Sequence, residues 1–236
     1  MEQNTALPGK TVIVVCDAML LHLQAAQEKM GTNFPVVEID RKLHVEPKRM
    51  CQEMKRVLAP LGQAYDTILL AMGFCGGALD GVGADCRIVV PRVDDCITLL
   101  LHTDDTWYPN LKSCGHMYFR DNDEYFNIHA IYGRMLEQYG EKKAGRLFRA
   151  YFRSYTNADI IDTGTYDCRE PGYVADAQVQ AEMIHSKLGY VPGSNILLEK
   201  LVSGRWDEQF VILEPGETFC NDQFIKQPQE TDCLAM

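Results

Sequence analysis

The first hundred residues alternate short apolar runs with amphipathic stretches. The apolar runs are typical of buried strands and cover residues 11–16, 34–39, 67–72 and 87–90. Two of the intervening stretches predict helices, over residues 20–30 and 47–58. Pro47 stands in the first turn of the second helix, where its missing N–H costs no hydrogen bond. This order predicts an α/β fold with a largely parallel sheet flanked by helices, in which these four strands run parallel.

The middle of the chain is less regular. Residues 94–101 predict a helix capped by Asp94, with Asp95 at the positive end of the helix dipole. Residues 113–126 mix aromatic and polar side chains without a period, which indicates a surface excursion. Two helices that meet at a glycine are predicted next, over residues 128–139 and 141–155.

The last third returns to the alternation of the first. It predicts a strand, two helices and a strand, over residues 158–162, 173–188, 195–203 and 210–213. That order resembles the first seventy residues and is compatible with two pseudo-repeated halves of a Rossmann-like sheet. We predict a single α/β domain over residues 1–225, with lobes at about 1–105 and 156–225, a helical segment between them and a loose tail at 226–236.

Composition narrows the class of protein. The chain is 46% hydrophobic and 24% charged, as soluble globular proteins are. Its formal net charge of -10 would repel a phosphate backbone, so nucleic acid is not an expected partner. Neither a bilayer-spanning apolar stretch nor a signal peptide is recognisable, so no membrane partner is expected. Nine cysteines without the dense spacing of disulfide-rich domains predict reduced thiols in a cytoplasmic protein.

Residues capable of chemistry follow each of the four predicted N-terminal strands. Taken strand by strand, they are Cys16, His44, Cys75 and Cys96. Because the carboxyl ends of parallel strands meet at one edge of a sheet, we expect these side chains at one rim. Three thiols and an imidazole are a set that binds zinc, so the four residues are the predicted metal ligands. The competing interpretation is that the thiols pack as small hydrophobic side chains and that the imidazole packs or caps locally.

The loop around Cys75, Gly-Phe-Cys-Gly-Gly, also has the form of a nucleophile elbow. In that interpretation Cys75 attacks a carbonyl or glycosidic carbon, with His44 as the base. An elbow requires a helix directly after it, whereas only residues 78–84 separate this loop from the next predicted strand. The metal and nucleophile interpretations therefore share Cys75 and differ in what surrounds it.

Further residues are assigned to the same cleft. Arg92 beside a helix start is typical of a grip on carboxylate or phosphate, and it completes the predicted catalytic set with Cys75 and Asp95. The alternative for Arg92 is a salt bridge to a nearby aspartate, namely Asp94, Asp95 or Asp80. The predicted cofactor-binding residues are loop glycines and the turn after the fifth strand: Gly73, Gly76, Gly77, Asp162, Thr163 and Gly164. An ordinary turn is the alternative for the last three.

Several motifs together resemble a catalogued family, domain of unknown function 1638. They are the strand ending in Cys16, the pair Leu43-His44, GFCGGALDGVGA, VVPRVDDCITLLL, the strand with IDTG, and GRWDEQFVILEPGE, within about residues 11–217. The resemblance implies association with corrinoid-dependent systems that move methyl groups from methylamines or methoxylated compounds through a cobalt cofactor. The chain departs from the family pattern at Asp94, at His102 and around His116, which leaves room for another substrate or metal shell.

The leading hypothesis is a metal-dependent enzyme, or a component of a corrinoid-linked methyl-transfer pathway, in which the Cys/His set binds zinc and Arg92 orients an anionic group. A second hypothesis is a cysteine-nucleophile hydrolase or lyase centred on Cys75. A third is a non-catalytic accessory protein that binds a corrinoid protein. The expected partners are a small-molecule substrate and a corrinoid protein carrying its cofactor.

Overall fold

The computed structural model describes residues 9–104, 115–121 and 123–224. The backbone divides into two compact units, one formed by Met1–Leu99 with Leu197–Met236 and the other by Leu100–Ile196. Each unit contains a sheet with helices, and the strands are mostly parallel, so the predicted α/β class is confirmed. The single domain with two lobes stays a prediction, and the predicted tail at 226–236 lies outside the described residues.

The elements are labelled in chain order. The described strands are β1 (Thr11–Cys16), β2 (Val36–Ile39), β3 (Thr67–Ala71), β4 (Arg87–Pro91), β5 (His116–Phe119), β6 (Asn157–Asp162), β7 (Lys187–Pro192) and β8 (Phe210–Leu213). The described helices are α1 (Leu20–Met30), α2 (Pro47–Ala64), α3 (Cys96–Leu100), α4 (Ile128–Tyr139), α5 (Glu141–Phe152), α6 (Pro171–Met183) and α7 (Ile196–Ser203).

The five-stranded sheet of the first unit has the order β2-β1-β3-β4-β8. The first four strands are parallel, as predicted, and β8 is antiparallel to β4. Every residue of β1 and β3 is buried, because side chains cover both faces of the sheet, and this explains why both strands are continuously apolar in sequence. Parallel pairing brings the carboxyl ends of β2, β1, β3 and β4 to one edge.

Helix α2 packs its apolar stripe against this sheet and is longer than predicted. Met50, Met54 and Leu58 recur every four residues on one face and are fully buried. The helix continues past the predicted end at residue 58 to Ala64, with Pro60 inside it. Pro60 is exposed in the last turns of the helix. A missing N–H is tolerated better there than it would be in a buried turn.

The second unit contains the parallel sheet β5-β6-β7, packed against α4, α5 and α6. Helices α4 and α5 meet at Gly140 with φ +69°, which confirms the predicted junction. Two predictions are wrong here. Within 113–126, His116–Phe119 is not a surface excursion but pairs with β6, whereas residues 113, 114 and 122 lie outside the described part. The helix predicted over 173–188 ends at Met183, and Lys187–Pro192 instead pairs with β6 as β7.

Among the described residues, no helix is both long and apolar enough to cross a membrane.

Candidate functional site

Three thiols lie at the carboxyl ends of three neighbouring parallel strands. Cys16 is the last residue of β1 and is 1% exposed. Cys75 lies in the loop that follows β3, and Cys96 is the first residue of α3, after β4; both are partly exposed. Because β1, β3 and β4 are adjacent in the sheet, these loops share one edge.

Backbone contacts hold the loops after β3 and β4 together. The amide of Phe74 donates to the carbonyl of Val93 at 2.9 Å, and the amide of Cys75 donates to the carbonyl of Asp94 at 2.7 Å. A Cβ on Gly73 would lie 2.7 Å from both N and Cα of Asp95, closer than any side chain can pack. Glycine at residue 73 therefore allows the two loops to touch, and this contact fixes Cys75 relative to the start of α3.

Cys75 has an uncommon backbone conformation. Its φ is +52°, and Gly76 and Gly77 follow with φ values of +67° and +91°. A non-glycine residue in this region carries about 1 kcal/mol or more of strain, which is often found at functional sites. Residues 78–81 form turns rather than a helix, so the strand-turn-helix arrangement of a nucleophile elbow is incomplete.

The surroundings of Cys75 disfavour its thiolate. Burial raises the pKa of the Cys75 thiol well above its ordinary value, and the neighbouring Cys96, Cys16 and Asp95 raise it further. An N–H of Gly73 directed at the sulfur acts in the opposite direction but is outweighed. The thiol is therefore protonated at neutral pH in the absence of a cation. The same interactions indicate that the thiols of Cys16 and Cys96 are near neighbours of Cys75.

His44 lies in a 3-10 turn, Arg41–Val45, directly after β2. Its Nδ1 donates to the carbonyl of Arg41 at 3.0 Å, so in the neutral ring Nε2 is the nitrogen without a proton. Asp17 Oδ1, just past β1, accepts from the amide and Nε of Arg41 at 3.1 and 2.7 Å, which ties this turn to the end of β1. His44 therefore lies at the same edge of the sheet as the thiols.

Metal ligation by the four predicted residues stays a prediction. Across residues 9–104, 115–121 and 123–224, no three histidine, cysteine, aspartate or glutamate side chains are arranged to hold a metal ion. The carboxyl edge brings the loops together, but the side chains of Cys16, His44, Cys75 and Cys96 do not form a closed shell.

Arg92 and Asp95 have structural partners. Nη1 and Nη2 of Arg92 donate to the carbonyls of Gln223 and Phe210 at 2.9 and 3.1 Å, and burial lowers the pKa of its guanidinium. Asp95 Oδ1 accepts from the amide of Thr98 at 2.7 Å, so Asp95 caps α3 and the prediction that Asp94 does so is wrong. The catalytic roles predicted for both residues stay predictions.

The remaining predicted residues belong to the unit formed by Leu100–Ile196. Asp162 ends β6 and accepts from Nη2 of Arg169 at 3.4 Å, the Thr163 hydroxyl accepts from the amide of Thr165 at 3.3 Å, and Gly164 has φ +70°. In the same unit, the His102 carbonyl accepts from Ser194 at 2.5 Å and His116 pairs with Asp159. Cofactor binding by Asp162, Thr163 and Gly164 stays a prediction.

Two cavities flank Gly76 and Gly77. The larger, of 820 Å³, lies between these glycines and the start of α2, and is lined by Glu46, Pro47, Lys48, Arg49, Cys51, Gln52, Gly76, Gly77 and Asp80. The smaller, of 470 Å³, is lined by Phe74, Gly76, Gly77, Asp80, Asp94 and Asn221. Sequence reasoning missed the α2 residues. The signal that points to them is their position at the start of the helix that follows the 3-10 turn after β2, the strand next to β1 in the sheet.

Comparison with known proteins identifies a family. The model of the family described as Protein of unknown function (DUF1638) matches residues 39–202, which include Cys75, Cys96 and the whole second unit. Neither a curated protein nor a solved structure matches the chain. Since the family model covers more than half of the sequence, the chain belongs to the DUF1638 family.

Proposed function

We propose that the chain is a metal-dependent enzyme, or a component of a corrinoid-linked methyl-transfer pathway, that acts through the thiols of Cys16, Cys75 and Cys96. The supporting observation is that neighbouring strands β1, β3 and β4 deliver three thiols to one edge, where two of them perturb the third. The link to corrinoid chemistry, and to a corrinoid protein as partner, is supported by the family resemblance alone.

The donor set fits a thiophilic cation such as zinc in its chemistry. Zinc binds cysteine sulfur in tetrahedral sites, and a divalent cation would offset the like-charge interactions that raise the pKa of Cys75. Cys16 is buried, whereas Cys75 and Cys96 are partly exposed. Because the described side chains form no closed shell, binding of a metal would require these side chains to move.

The chain's own residues would hold and orient this site. When bound, zinc would act as a Lewis acid or hold a substrate thiol as its thiolate, the nucleophile that accepts a methyl group in methyl transfer. The hydrogen bonds from the amides of Phe74 and Cys75 keep the two thiol-bearing loops in place. His44 is suited to a fourth position, because the hydrogen bond from its Nδ1–H to the carbonyl of Arg41 orients the ring and fixes the tautomer in which Nε2 is the basic nitrogen.

Metal titration of apo protein tests the proposal. We expect reconstituted wild-type chain to bind one zinc or cobalt(II) ion, with the sulfur-to-cobalt absorption that reports thiolate ligands. Cys75→Ser should weaken the affinity by about tenfold or more, whereas Cys220→Ser, which changes an exposed thiol outside the predicted ligand set, should leave it unchanged. Absence of metal after anaerobic reconstitution, or wild-type affinity in Cys75→Ser, would remove the proposal.

A cysteine nucleophile is the second candidate, supported by the φ of +52° at Cys75. Its weakness is the raised pKa, since catalytic cysteines are activated by a lowered one. Alkylation of Cys75 by iodoacetamide at neutral pH, faster than that of the exposed Cys220 in metal-free protein, would favour the nucleophile over the metal site.

A further inference from the structure

The two cavities beside Gly76 and Gly77 differ in charge. The smaller cavity is lined by the carboxylates of Asp80 and Asp94, and none of the described residues that line it is basic. The larger cavity shares Asp80 but adds Lys48 and Arg49 from α2. The glycine pair next to Cys75 therefore separates an acidic cavity from one that contains basic side chains.

In the described part of the chain, only one of the two basic residues of the larger cavity is paired with a carboxylate. Arg49 pairs with Glu46 at 3.5 Å, so that these two charges largely offset each other. Lys48 is exposed, and among the residues that the structure describes no carboxylate pairs with it. Asp80 is the remaining charged lining residue, and it lies in the turn on the opposite wall. Among the described residues that line this cavity, Lys48 is thus the cation without a carboxylate partner.

The opposite wall offers hydrogen-bond donors. In the described part of the chain, no acceptor is bonded to the amides of Gly76 or Gly77, and a Cβ on Gly77 would meet no atom within 4 Å. A ligand can therefore approach this backbone closely, as the absence of a side chain permits. A cavity of 820 Å³ is within the size range of small-molecule sites.

We propose that the 820 Å³ cavity binds a small organic anion, whose carboxylate, sulfonate or phosphate group pairs with Lys48 and whose remainder extends along Gly76 and Gly77 toward Cys75. This inference names the substrate class for the proposed function and rests on it in that respect. The anionic end would then lie beside Lys48 at the start of α2, and the reacting end beside Cys75, at the other end of the Gly76-Gly77 segment.

Cys51 provides a reporter inside the cavity. It is partly exposed, lines the same wall as Lys48, and its thiol donates to the carbonyl of Asp80 at 3.4 Å. Iodoacetate and iodoacetamide have similar size and chemistry but differ in charge, so their relative rates at Cys51 report anion binding. Cys220, an exposed thiol outside this cavity, is the internal reference, and mass spectrometry resolves the two sites.

The experiment uses the metal-free chain of 236 residues. We expect the ratio of iodoacetate to iodoacetamide rates at Cys51 to exceed that at Cys220 by about fivefold or more. Because Lys48 lies one helical turn from Cys51, attraction alone would raise this ratio without binding. The decisive readout is therefore saturation of the Cys51 rate with iodoacetate and its inhibition by succinate but not by tetramethylammonium.

Matched variants on α2 complete the test. Lys48→Gln should abolish both the saturation and the rate preference, whereas Lys55→Gln, on the same helix but outside the cavity lining, should retain them. A rate linear in iodoacetate, or saturation that persists in Lys48→Gln, would overturn the anion site. The metal titration and the Cys51 alkylation give independent results. Anion selectivity at Cys51 without metal binding would refute the proposed function and leave the assignment of the anion cavity intact.

Discussion

Gly73 is where two loops touch, and its substitution tests how much the site depends on that contact. Gly73→Ala would place a methyl group 2.7 Å from the backbone of Asp95, which must shift to accommodate it. We expect a loss of about 1 to 3 kcal/mol in the free energy of unfolding measured by urea denaturation. Gly133→Ala is the control: its Cβ meets nothing within 4 Å, and a helix-interior alanine should gain about 0.5 to 1 kcal/mol. Equal effects of the two substitutions would contradict the close approach.

The pKa of Cys75 should respond to removal of its thiol neighbour. Burial and then Cys96 are the main causes of its elevation, so Cys96→Ala should move the pH profile of Cys75 alkylation by iodoacetamide to lower pH. The profile should remain above the range of an ordinary thiol, because burial persists. Cys86→Ala removes a buried thiol that is not among these causes and should leave the profile in place. An unchanged profile in Cys96→Ala would mean that Cys96 is too far from Cys75 to raise its pKa.

The hydrophobic pattern was enough to predict where the thiols lie in the sheet, but not the hydrogen-bond partners of Arg92 and Asp95. Cys16, Cys75 and Cys96 were expected at one edge because strand ends are visible in the hydrophobic pattern, and parallel pairing fixes which ends meet. The hydrogen bonds of Arg92 to Phe210 and Gln223 were not predictable, since they join segments more than a hundred residues apart. The cap at Asp95 instead of Asp94 depends on one residue of loop geometry, which no pattern encodes.

At the level of elements, Arg92 joins β8 and the segment after it to the end of β4. Arg92→Met would leave the carbonyls of Phe210 and Gln223 without these donors, and we expect a loss of about 1 to 3 kcal/mol in unfolding free energy. Faster hydrogen exchange over residues 210–224 should accompany it. Arg87→Met, which breaks an exposed ion pair between β4 and Glu214 directly after β8, should change stability by less than about 1 kcal/mol. If Arg92→Met were as stable as wild type, the two hydrogen bonds would contribute nothing to stability, and ligand binding would remain as the role of Arg92.

The elements that sequence reasoning missed share one property. Strands β5 and β7 are only partly buried, and among the described strands each pairs only with β6. Such edge strands lack the continuous apolar run that identified β1 and β3, and only three residues separate β7 from the end of α6. Their assignment depends on backbone pairing with a neighbour, which is a tertiary property.

For the molecule as a whole, acid stability should depend on a buried ammonium group. Lys200 is 4% exposed and donates to Asp207 at 2.6 Å and to Gln209 at 2.7 Å. Partial burial acts to raise the pKa of Asp207, but the hydrogen bonds from Lys200 and the Gln209 amide outweigh it and lower that pKa. The stabilisation from this pair is therefore complete above about pH 4, the pKa of an aspartate in the unfolded chain. It is lost as the pH falls through the lower pKa that Asp207 has in the folded chain.

Asp207→Asn tests this dependence. At pH 7 it should lower the unfolding free energy by about 1 to 3 kcal/mol, a value reduced from that of a fully buried pair because Asp207 is 46% exposed. The difference from wild type should shrink as the pH falls below about 4, where the wild-type carboxylate also loses its charge. Glu53→Gln, which breaks the exposed pair with Arg56, should have an effect below about 1 kcal/mol. A constant difference across pH would mean that the carboxylate charge is not involved.

The position of β8 ties completion of the first sheet to the order of synthesis on the ribosome. About 120 residues, including the whole second unit, separate β4 from the strand that covers its outer edge. At typical elongation rates of about 5 to 20 residues per second, that edge stays uncovered for roughly 6 to 24 s in a nascent chain. The contiguous second unit can fold during this interval. A translation product that stops after α6 would retain all three thiol-bearing segments but expose an unprotected strand edge, along which chains aggregate.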